Sequence, residues 1–308
     1  MVVVNLYPFK ETLAKKDVTH EELIENIDIG GPSMLRSAAK NYKSVTVVVD
    51  PKDYERVICE LRESGDTQFE TRERLAAKVF RHTSAYDTLI AEYLTNKVEE
   101  KFPETITVTY EKVQDLRYGE NPHQKAGFYK KSFAGYSMGN AKQLHGKELS
   151  YNNIQDANAA LEILNEFTAP TVVAVKHMNP CGVGSGKNVE EAWKKAYEAD
   201  KMSIFGGIVV TNSCITKSVA EELSKLFLEI VIAPDFEKEA LEIITQKKNI
   251  RVLQIDMNSE ILNKMKVTSV MDGALIQEFD EMKISKNELV CVTERKPTDV
   301  EIEELIFS

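Results

Sequence analysis

The sequence predicts an α/β fold made of two domains. Short runs of β-branched and small residues, typical of buried strands, alternate along the chain with longer segments of helical periodicity. The 308 residues, of which 43% are hydrophobic, can form more than one sizeable core. No apolar run is long enough to span a bilayer, and the N-terminus lacks the pattern of a secretory signal. We therefore expect a cytoplasmic protein without a membrane partner.

The domain boundary is expected at Lys101-Phe102-Pro103-Glu104, where a proline interrupts a long helical pattern. The first domain is then 1–103 and the second 104–308. In the first domain the predicted elements are a strand at 2–5, helices near 10–16 and 20–27, a helix from 28 to about 43, a strand at 44–49, and helices near 51–63 and 68–99. Valine-rich runs predict these strands, and apolar residues every three or four positions predict the helices.

The second domain continues the alternation. Its predicted elements are β structure at 105–110, a polar loop at 117–124, a helix at 153–166, a strand at 171–176, a helix at 189–199, a strand at 207–211, a helix at 217–227, a strand at 229–233, a helix at 236–247, and short strands near 250–255, 266–270, 274–278 and 289–293. Lys296-Pro297-Thr298-Asp299 then starts a last helix.

Both ends of the sequence predict a fragment of a longer protein. Met1 leads directly into a valine run that reads as a core strand, without a polar segment before it. The last helix reaches Ser308 without a residue that could cap its C-terminus.

Charge and cysteine content exclude several classes of function. The formal net charge is −10, which argues against nonspecific binding to nucleic acid or to an anionic membrane. The four cysteines are widely spaced and form no Cys-x-x-Cys pair, so neither a disulfide framework nor a four-cysteine zinc site is expected. Small anionic ligands remain compatible with local clusters of basic residues.

The most informative segment is the predicted strand 171–176 together with the residues after it. Lys176 and His177 stand side by side at its carboxyl end, before a turn that Asn179-Pro180 is expected to form. Ligands of open α/β sheets bind at that end of the strands. A neighbouring ammonium disfavours protonation of an imidazole, so the pair suits removal of a proton beside an anion. The alternative is a solvated lysine and a hydrogen-bonded loop histidine.

A second candidate lies in the first domain. Gly30 and Gly31 follow Asp28 at a helix start, where backbone N–H groups and the helix N-terminus favour an anion such as phosphate. Lys40 lies about three turns later in the helix, and Tyr7 follows the first strand. From these residues alone, plain helix capping is the favoured explanation of Asp28 and the two glycines. A functional interpretation requires these side chains to converge in space.

Other motifs are weaker. Gly182-Val183-Gly184-Ser185-Gly186 matches no dinucleotide or P-loop spacing, and Pro180-Cys181 lacks the second cysteine of the zinc deaminases, so no metal is expected. The loop from Arg117 to Gln124 offers a guanidinium, an aromatic ring and amides that could grip a phosphorylated nucleoside. A solvated turn between domains is the alternative.

Six segments together resemble one family, the bifunctional enzymes of purine biosynthesis that combine phosphoribosylaminoimidazolecarboxamide (AICAR) formyltransferase with IMP cyclohydrolase. The segments are Asn5-Leu6-Tyr7-Pro8-Phe9, Asp28-Ile29-Gly30-Gly31, Phe80-Arg81-His82-Thr83-Ser84-Ala85-Tyr86-Asp87, Arg117-Tyr118-Gly119-Glu120-Asn121-Pro122-His123-Gln124, Lys176-His177-Met178-Asn179-Pro180-Cys181-Gly182 and Ser203-Ile204-Phe205-Gly206-Gly207. They occur in the order of the family and cover nearly the whole chain.

The resemblance implies a partial methylglyoxal-synthase-like domain followed by a partial cytidine-deaminase-like transformylase unit. It implies formyl transfer from 10-formyltetrahydrofolate to AICAR, with His177 as the general base and Lys176 as the adjacent residue that holds the substrate or tunes His177. It further implies substrate contacts by a set of residues in the second domain: Arg117, Tyr118, Asn153, Gly206 and Glu229, with Met202 at the folate pocket.

For the cyclohydrolase, the resemblance implies roles for Tyr7, Asp28 and Lys40 in ring closure, with the amides of Gly30 and Gly31 at the nucleotide. It implies a homodimer, no metal and no redox cofactor. Because parts of both family sites lie outside the sequence, we expect incomplete sites in this chain. A remnant that only binds nucleotide or dimerises is the rival hypothesis, and an unrelated deaminase-fold enzyme is disfavoured by the missing zinc ligands.

Overall fold

In a computed structural model, residues 1–133, 135–259 and 265–307 are described. They form two compact units, Met1–Lys112 (unit 1) and Val113–Ser308 (unit 2). The residue predicted as the domain boundary, Pro103, lies in the irregular segment 98–109. Strands and helices alternate in both units, which confirms the predicted α/β class. Within the described residues, no helix combines the length and the apolar character needed to cross a bilayer.

Unit 1 packs its helices against a short parallel strand pair. Its elements are β1 (Val2–Val3), α1 (Phe9–Leu13), α2 (His20–Glu25), α3 (Gly30–Lys40), β2 (Val47–Val48), α4 (Tyr54–Ser64) and α5 (Phe69–Lys97). The strands are shorter than predicted, although backbone bonds from Val2 N to Thr46 O and from Val4 N to Val48 O extend the pairing on both sides. Leu35 of α3 and Val79 of α5 pack on this pair, so α3 is held firmly at the centre of the unit.

A cluster of charges connects the residues after β2 to α5. Lys78 donates hydrogen bonds to Asp53 at 2.5 Å and pairs with Asp50 at 2.6 Å, while Arg74 also reaches Asp53, which is buried. The Lys78 ammonium holds the pKa of Asp50 below its ordinary value. This pairing therefore stabilises the fold fully above the pKa of an unfolded aspartate and loses its effect as the pH falls through the lowered pKa of Asp50.

Lys78→Met should lower the free energy of unfolding of unit 1 by about 1–3 kcal/mol at pH 7, because it leaves the buried Asp53 with fewer donors. The difference from the unsubstituted chain should shrink as the pH falls below about 4, the pKa of an aspartate in the unfolded chain, and through the lowered pKa of Asp50. Urea unfolding of both chains at pH 7 and at a pH below about 4 measures this difference. Lys97→Met, at the exposed end of α5, is the control and should change stability little. If Lys78→Met lost the same free energy of unfolding at both pH values, the pH dependence could not be assigned to Asp50.

Unit 2 is organised around one mixed sheet. The strand β3 (Tyr110–Leu116) begins in the last residues of unit 1 and ends in unit 2. The elements after it are β4 (Ala126–Lys131), β5 (Lys142–His145), α6 (Tyr151–Leu164), β6 (Thr171–Lys176), β7 (Asn179–Ser185), α7 (Val189–Ala199), β8 (Ile208–Thr211), α8 (Lys217–Ser224), β9 (Ile230–Ala233), α9 (Lys238–Ile244), β10 (Arg251–Gln254), β11 (Met265–Val270), β12 (Gly273–Glu278) and α10 (Asp299–Phe307). In the described part of the chain the large sheet has six strands in the order β5-β10-β9-β8-β6-β7, and β3-β4 and β11-β12 form separate pairs.

The strand β6 supplies residues to both faces of the sheet, as strict alternation requires. Val172 and Ala174 face α7, α8 and α9, whereas Val173 and Val175 face α6. All of β6 before Lys176 is buried, which accounts for its continuous apolar sequence.

Three predictions for the segments after residue 104 were wrong. No strand forms at 289–293, where valines are exposed, and the β structure expected at 105–110 begins only at Tyr110. Asn179-Pro180 does not form the turn either, since both residues belong to β7, which returns antiparallel to β6. A proline is tolerated there because β7 is an edge strand of the sheet.

The direction of β6 also corrects the expected location of Lys176. Strands β8, β9 and β10 are parallel, but β6 runs antiparallel to β8. The carboxyl end of β6 therefore lies at the amino-terminal edge of the parallel strands, and the rule for ligand sites at carboxyl edges does not apply. The end of β6 remains of interest through its own side chains.

The glycines of β7 serve packing. A methyl group at Gly182 would stand 2.0 Å from Ala196 O of α7, so only glycine allows this approach of strand and helix.

Gly182→Ala should therefore lower the stability of unit 2 by about 3 kcal/mol. Gly273→Ala, whose new methyl would meet Val270 at an ordinary 3.5 Å, is the matched control. The measurement is the urea midpoint of unfolding for each variant. Equal midpoints for Gly182→Ala and Gly273→Ala would contradict the packing role of Gly182.

Candidate functional site

The turn after β6 presents His177 to solvent. His177 and Met178 connect β6 to β7, and both have positive φ, 54° and 63°. His177 is exposed, and within the described residues no hydrogen bond engages its imidazole. Its carbonyl accepts a hydrogen bond from Asn179 Nδ2 at 2.8 Å. The backbone is thus fixed while the ring remains available to a ligand.

Lys176 connects this turn to the loop before β8. Its Nζ donates to Phe205 O at 2.9 Å. The next residue, Gly206, donates its N–H to Phe227 O at 2.7 Å, so the loop is anchored on both sides. Asp200 supports the start of the loop by accepting from Met202 N at 3.0 Å. Lys176, Gly206 and Met202 therefore belong to one connected region, and Met202 itself is 87% exposed.

Helix α6 contributes from the other side of the turn. Asp156 Oδ1 accepts from Met178 N at 3.0 Å. Asn153 lies three residues earlier on the same helical face and is nearly buried. Its side chain completes a capping box with Ser150, accepting from Ser150 N at 3.1 Å. Asn153 therefore has a definite structural role in this capping box, one helical turn before Asp156.

Glu229 lies directly before β9, at the end of the sheet where β6 ends and β8 and β9 begin. Its N–H donates to Gly207 O at 2.9 Å, and its carboxylate receives Nη1 of Arg251 at 2.6 Å. The side chain of Arg251 is 12% exposed and that of Glu229 is 36% exposed, so the ion pair is partly withdrawn from water. Arg251 holds Glu229 in place, and no local pattern around Arg251 predicts this contact.

Arg117 and Tyr118 form a local stack after β3. The guanidinium lies over the ring at 5.0 Å from its centroid. The loop that follows is closed by Gly119 N to Gln124 O at 2.8 Å and by Asn121 N to Gln124 Oε1 at 2.9 Å. The loop is thus ordered by its own contacts, although no described hydrogen bond links it to the turn at His177.

Cys181 lies in the strand after the turn, and its thiol is held in the protonated form. Burial, with a smaller effect of Asp200, raises the pKa of the Cys181 thiol, which disfavours the reactive thiolate. All four cysteines are free. In the described ranges no group of three or more metal-binding side chains occurs.

Asp28 is the centre of the candidate site in unit 1. Its carboxylate accepts from Gly31 N at 2.7 Å and from Tyr7 N at 3.2 Å. Its own N–H donates to the hydroxyl of Tyr86 at 2.9 Å, and that hydroxyl donates to Asn26 O. Burial raises the pKa of Tyr86, so the hydroxyl keeps its proton. Tyr86 belongs to a segment that the resemblance highlighted, but its role was not predicted.

The two glycines at the start of α3 differ. A methyl group at Gly31 would stand 2.5 Å from Asp28 Oδ2, so the carboxylate itself requires a glycine there. At Gly30 a methyl would meet nothing within 4 Å. Contacts within unit 1 therefore explain Gly31, whereas Gly30 leaves open space at a helix N-terminus, where backbone N–H groups attract anions.

Lys40 lies apart from these residues. It ends α3, and the helical rise puts about 15 Å between its backbone and that of Gly30. With Arg36, Tyr42 and Phe80 it lines a groove of about 700 Å³ between α3 and α5. The structure thus brings Tyr7, Asp28 and Gly31 together, and it leaves Lys40 at the opposite end of the helix.

Comparisons with known proteins give a consistent result. The family model described as AICARFT/IMPCHase bienzyme matches residues 38–308. The bifunctional purine biosynthesis protein PurH of Oceanobacillus iheyensis is 57% identical over 309 aligned residues, which cover 100% of this chain. The proteins of the same name from Bacillus cereus strain AH187 and from Bacillus cytotoxicus are each 59% identical over 99% of the chain. The chain spans 60% of the length of each of these relatives.

Proposed function

Because the chain belongs to the AICARFT/IMPCHase bienzyme family, we propose that it takes part in the last two steps of purine nucleotide synthesis. The first is formyl transfer from 10-formyltetrahydrofolate to the 5-amino group of AICAR ribonucleotide. The second is cyclodehydration of the product to IMP. The observation that carries this proposal is the exposed imidazole of His177 beside the anchored ammonium of Lys176, within a segment that the family model covers.

In the proposed formyl transfer, the amino nitrogen attacks the formyl carbon and His177 removes its proton. A C–N bond forms, the bond from the carbon to N10 of the folate breaks, and that nitrogen takes up a proton. An aromatic amine is a weak nucleophile, so a base at this point contributes about 10²- to 10⁴-fold. Lys176 supplies positive charge to the nucleotide while Phe205 O orients it.

Binding of the nucleotide and folate is proposed to use a wider set of residues in unit 2. Its members carry guanidinium, amide, carboxylate or exposed apolar groups: Arg117, Tyr118, Asn153, Gly206, Glu229 and Met202. The connections among Lys176, Gly206 and Met202, and the position of Asn153 beside the turn, support this assignment. Neither substrate needs a metal or a redox cofactor for this chemistry.

For ring closure we propose Tyr7, Asp28 and Lys40, with the amides of Gly30 and Gly31 at the nucleotide. The bonds from Asp28 to Tyr7 and Gly31 support a shared role for these residues. Lys40 is the weakest member of the set because it lies at the other end of α3.

The family also supports finer proposals. We propose that residues 1–103 belong to a methylglyoxal-synthase-like domain and residues 104–308 to a cytidine-deaminase-like transformylase domain. We further propose a cytoplasmic enzyme that works as a homodimer. The alternation of strands and helices in both units is compatible with these assignments.

The proposal is tested by binding and activity of the purified chain. Calorimetry with AICAR ribonucleotide, with and without a folate, measures binding, and spectroscopic assays measure formyl transfer and ring closure. Binding that Lys176→Met weakens supports the proposal. Lys195→Met is the matched control, since Lys195 also donates to a backbone carbonyl, that of Ser185 at 2.8 Å. Binding without turnover favours a nucleotide-binding protein, and the absence of both binding and turnover would reject the proposal.

A further inference from the structure

The turn at the end of β6 has an unfavourable sequence for its conformation. Both central residues, His177 and Met178, have positive φ. Two-residue hairpin turns of this kind prefer asparagine and glycine. A left-handed φ costs about 1–3 kcal/mol at a residue other than glycine, and it persists only where the surroundings enforce it. Contacts from neighbouring elements must therefore hold this turn.

The contact that holds it from outside the hairpin comes from Asp156. Its Oδ1 accepts from Met178 N, which orients the peptide between the two strained residues. The helix that carries Asp156 is packed firmly on the sheet, with Ala157, Ala160 and Leu161 buried against β6 and its neighbours. The acceptor therefore stands on a rigid element, as precise positioning requires. Asn179 braces the turn only from within the hairpin.

We propose that Asp156 is a positioning residue of the formyl-transfer site. Its carboxylate fixes the turn in the left-handed conformation and so sets the direction in which His177 presents its imidazole. For the role of His177 this inference rests on the proposed function. A base displaced by about 1 Å can lose about 10²-fold in rate, so the anchor matters for chemistry although it does not touch the substrate.

The first test needs no substrate. In ¹⁵N-labelled chain, the HN–Hα couplings and amide shifts of His177 and Met178 report positive φ. Asp156→Ala should shift both toward averaged values, whereas Asp156→Asn should preserve them, since its amide oxygen accepts the same bond. Met178→Gly should restore the turn in the Asp156→Ala background, because glycine adopts positive φ without strain. Glu162→Ala, at an exposed position of the same helix, is the control.

The second test is kinetic. Asp156→Ala should lower kcat for formyl transfer by about 10- to 100-fold, while KM for AICAR ribonucleotide changes by less than about threefold. Asp156→Asn should retain most of the activity, and Met178→Gly should recover about tenfold of the loss. A residue that only stabilised the hairpin would change the urea midpoint of unfolding. It would not lower kcat while leaving KM nearly unchanged.

The outcomes separate this inference from the function on which it rests. An unchanged turn in Asp156→Ala, damage by Asp156→Asn equal to that by Asp156→Ala, or full formyl transfer after the turn is lost would each overturn the positioning role. Loss of the turn with rescue by Met178→Gly supports the anchor even if no variant transfers a formyl group. That absence of turnover would count against the proposed function alone.

Discussion

His177→Ala should lower formyl transfer by about 10²- to 10⁴-fold and leave ring closure within about twofold of its original rate. The reason is chemical, since the substitution removes the proposed base from a turn whose backbone Asp156 and Asn179 hold independently of the ring. Tyr7 and Asp28 belong to unit 1, whereas His177 belongs to unit 2, so the two proposed chemistries rest on different compact units. Because incomplete sites are expected in this chain, both activities are measured at the aligned position of the longer Oceanobacillus iheyensis relative.

The control for this substitution is His145→Ala. His145 lies on β5, at the opposite edge of the same sheet, and its ring contacts Lys247 O at 3.2 Å. Its loss should affect stability slightly and formyl transfer little. If His177→Ala abolished both activities in a folded protein, the division of chemistry between the two units would be wrong. If it changed neither, His177 would be a surface histidine.

The sequence was most informative where the core imposes one pattern. Strand β6 and helix α7 have the predicted bounds, because a fully buried strand and an amphipathic helix each allow only one periodicity. The edge strand β7 was not predicted as a strand, since its proline and glycines are typical of a loop. Those glycines are explained only by α7, which lies too close to accept a side chain.

The candidate sites were likewise only partly predictable from the sequence. Lys176 and His177 could be proposed as site residues because two bases follow a buried strand. The antiparallel direction of β6 relative to β8 could not be predicted. The same limit applies to Asp156 and Arg251, whose partners lie 22 residues away in each case. A charged residue on a helix or at a strand start carries no local signal of a distant partner. Only the fold reveals these supporting side chains.

Asp28→Ala should lower ring closure by about 10²-fold or more and leave formyl transfer nearly unchanged. The substitution removes the carboxylate that the N–H groups of Tyr7 and Gly31 share, so it acts on the chemistry and on the local backbone together. Asp28→Asn separates the two effects. Its amide oxygen can still accept from Gly31, but it has no charge and only one acceptor. We expect Asp28→Asn to unfold at nearly the same urea concentration as the unsubstituted chain and still to close the ring slowly.

The companion substitution Gly31→Ala tests the same carboxylate without removing it. The new methyl would stand 2.5 Å from Asp28 Oδ2 and 2.7 Å from Leu6, so the carboxylate must move away from Tyr7. Ring closure should then fall as it does in Asp28→Asn, whereas Asp17→Ala, an exposed aspartate before α2, should have no effect. The measurements are ring-closure rates with the formylated nucleotide and urea midpoints for each variant. Full activity in Asp28→Asn would show that hydrogen bonding by Asp28, and not its charge, supports the reaction. Full activity in Asp28→Ala would remove Asp28 from the site.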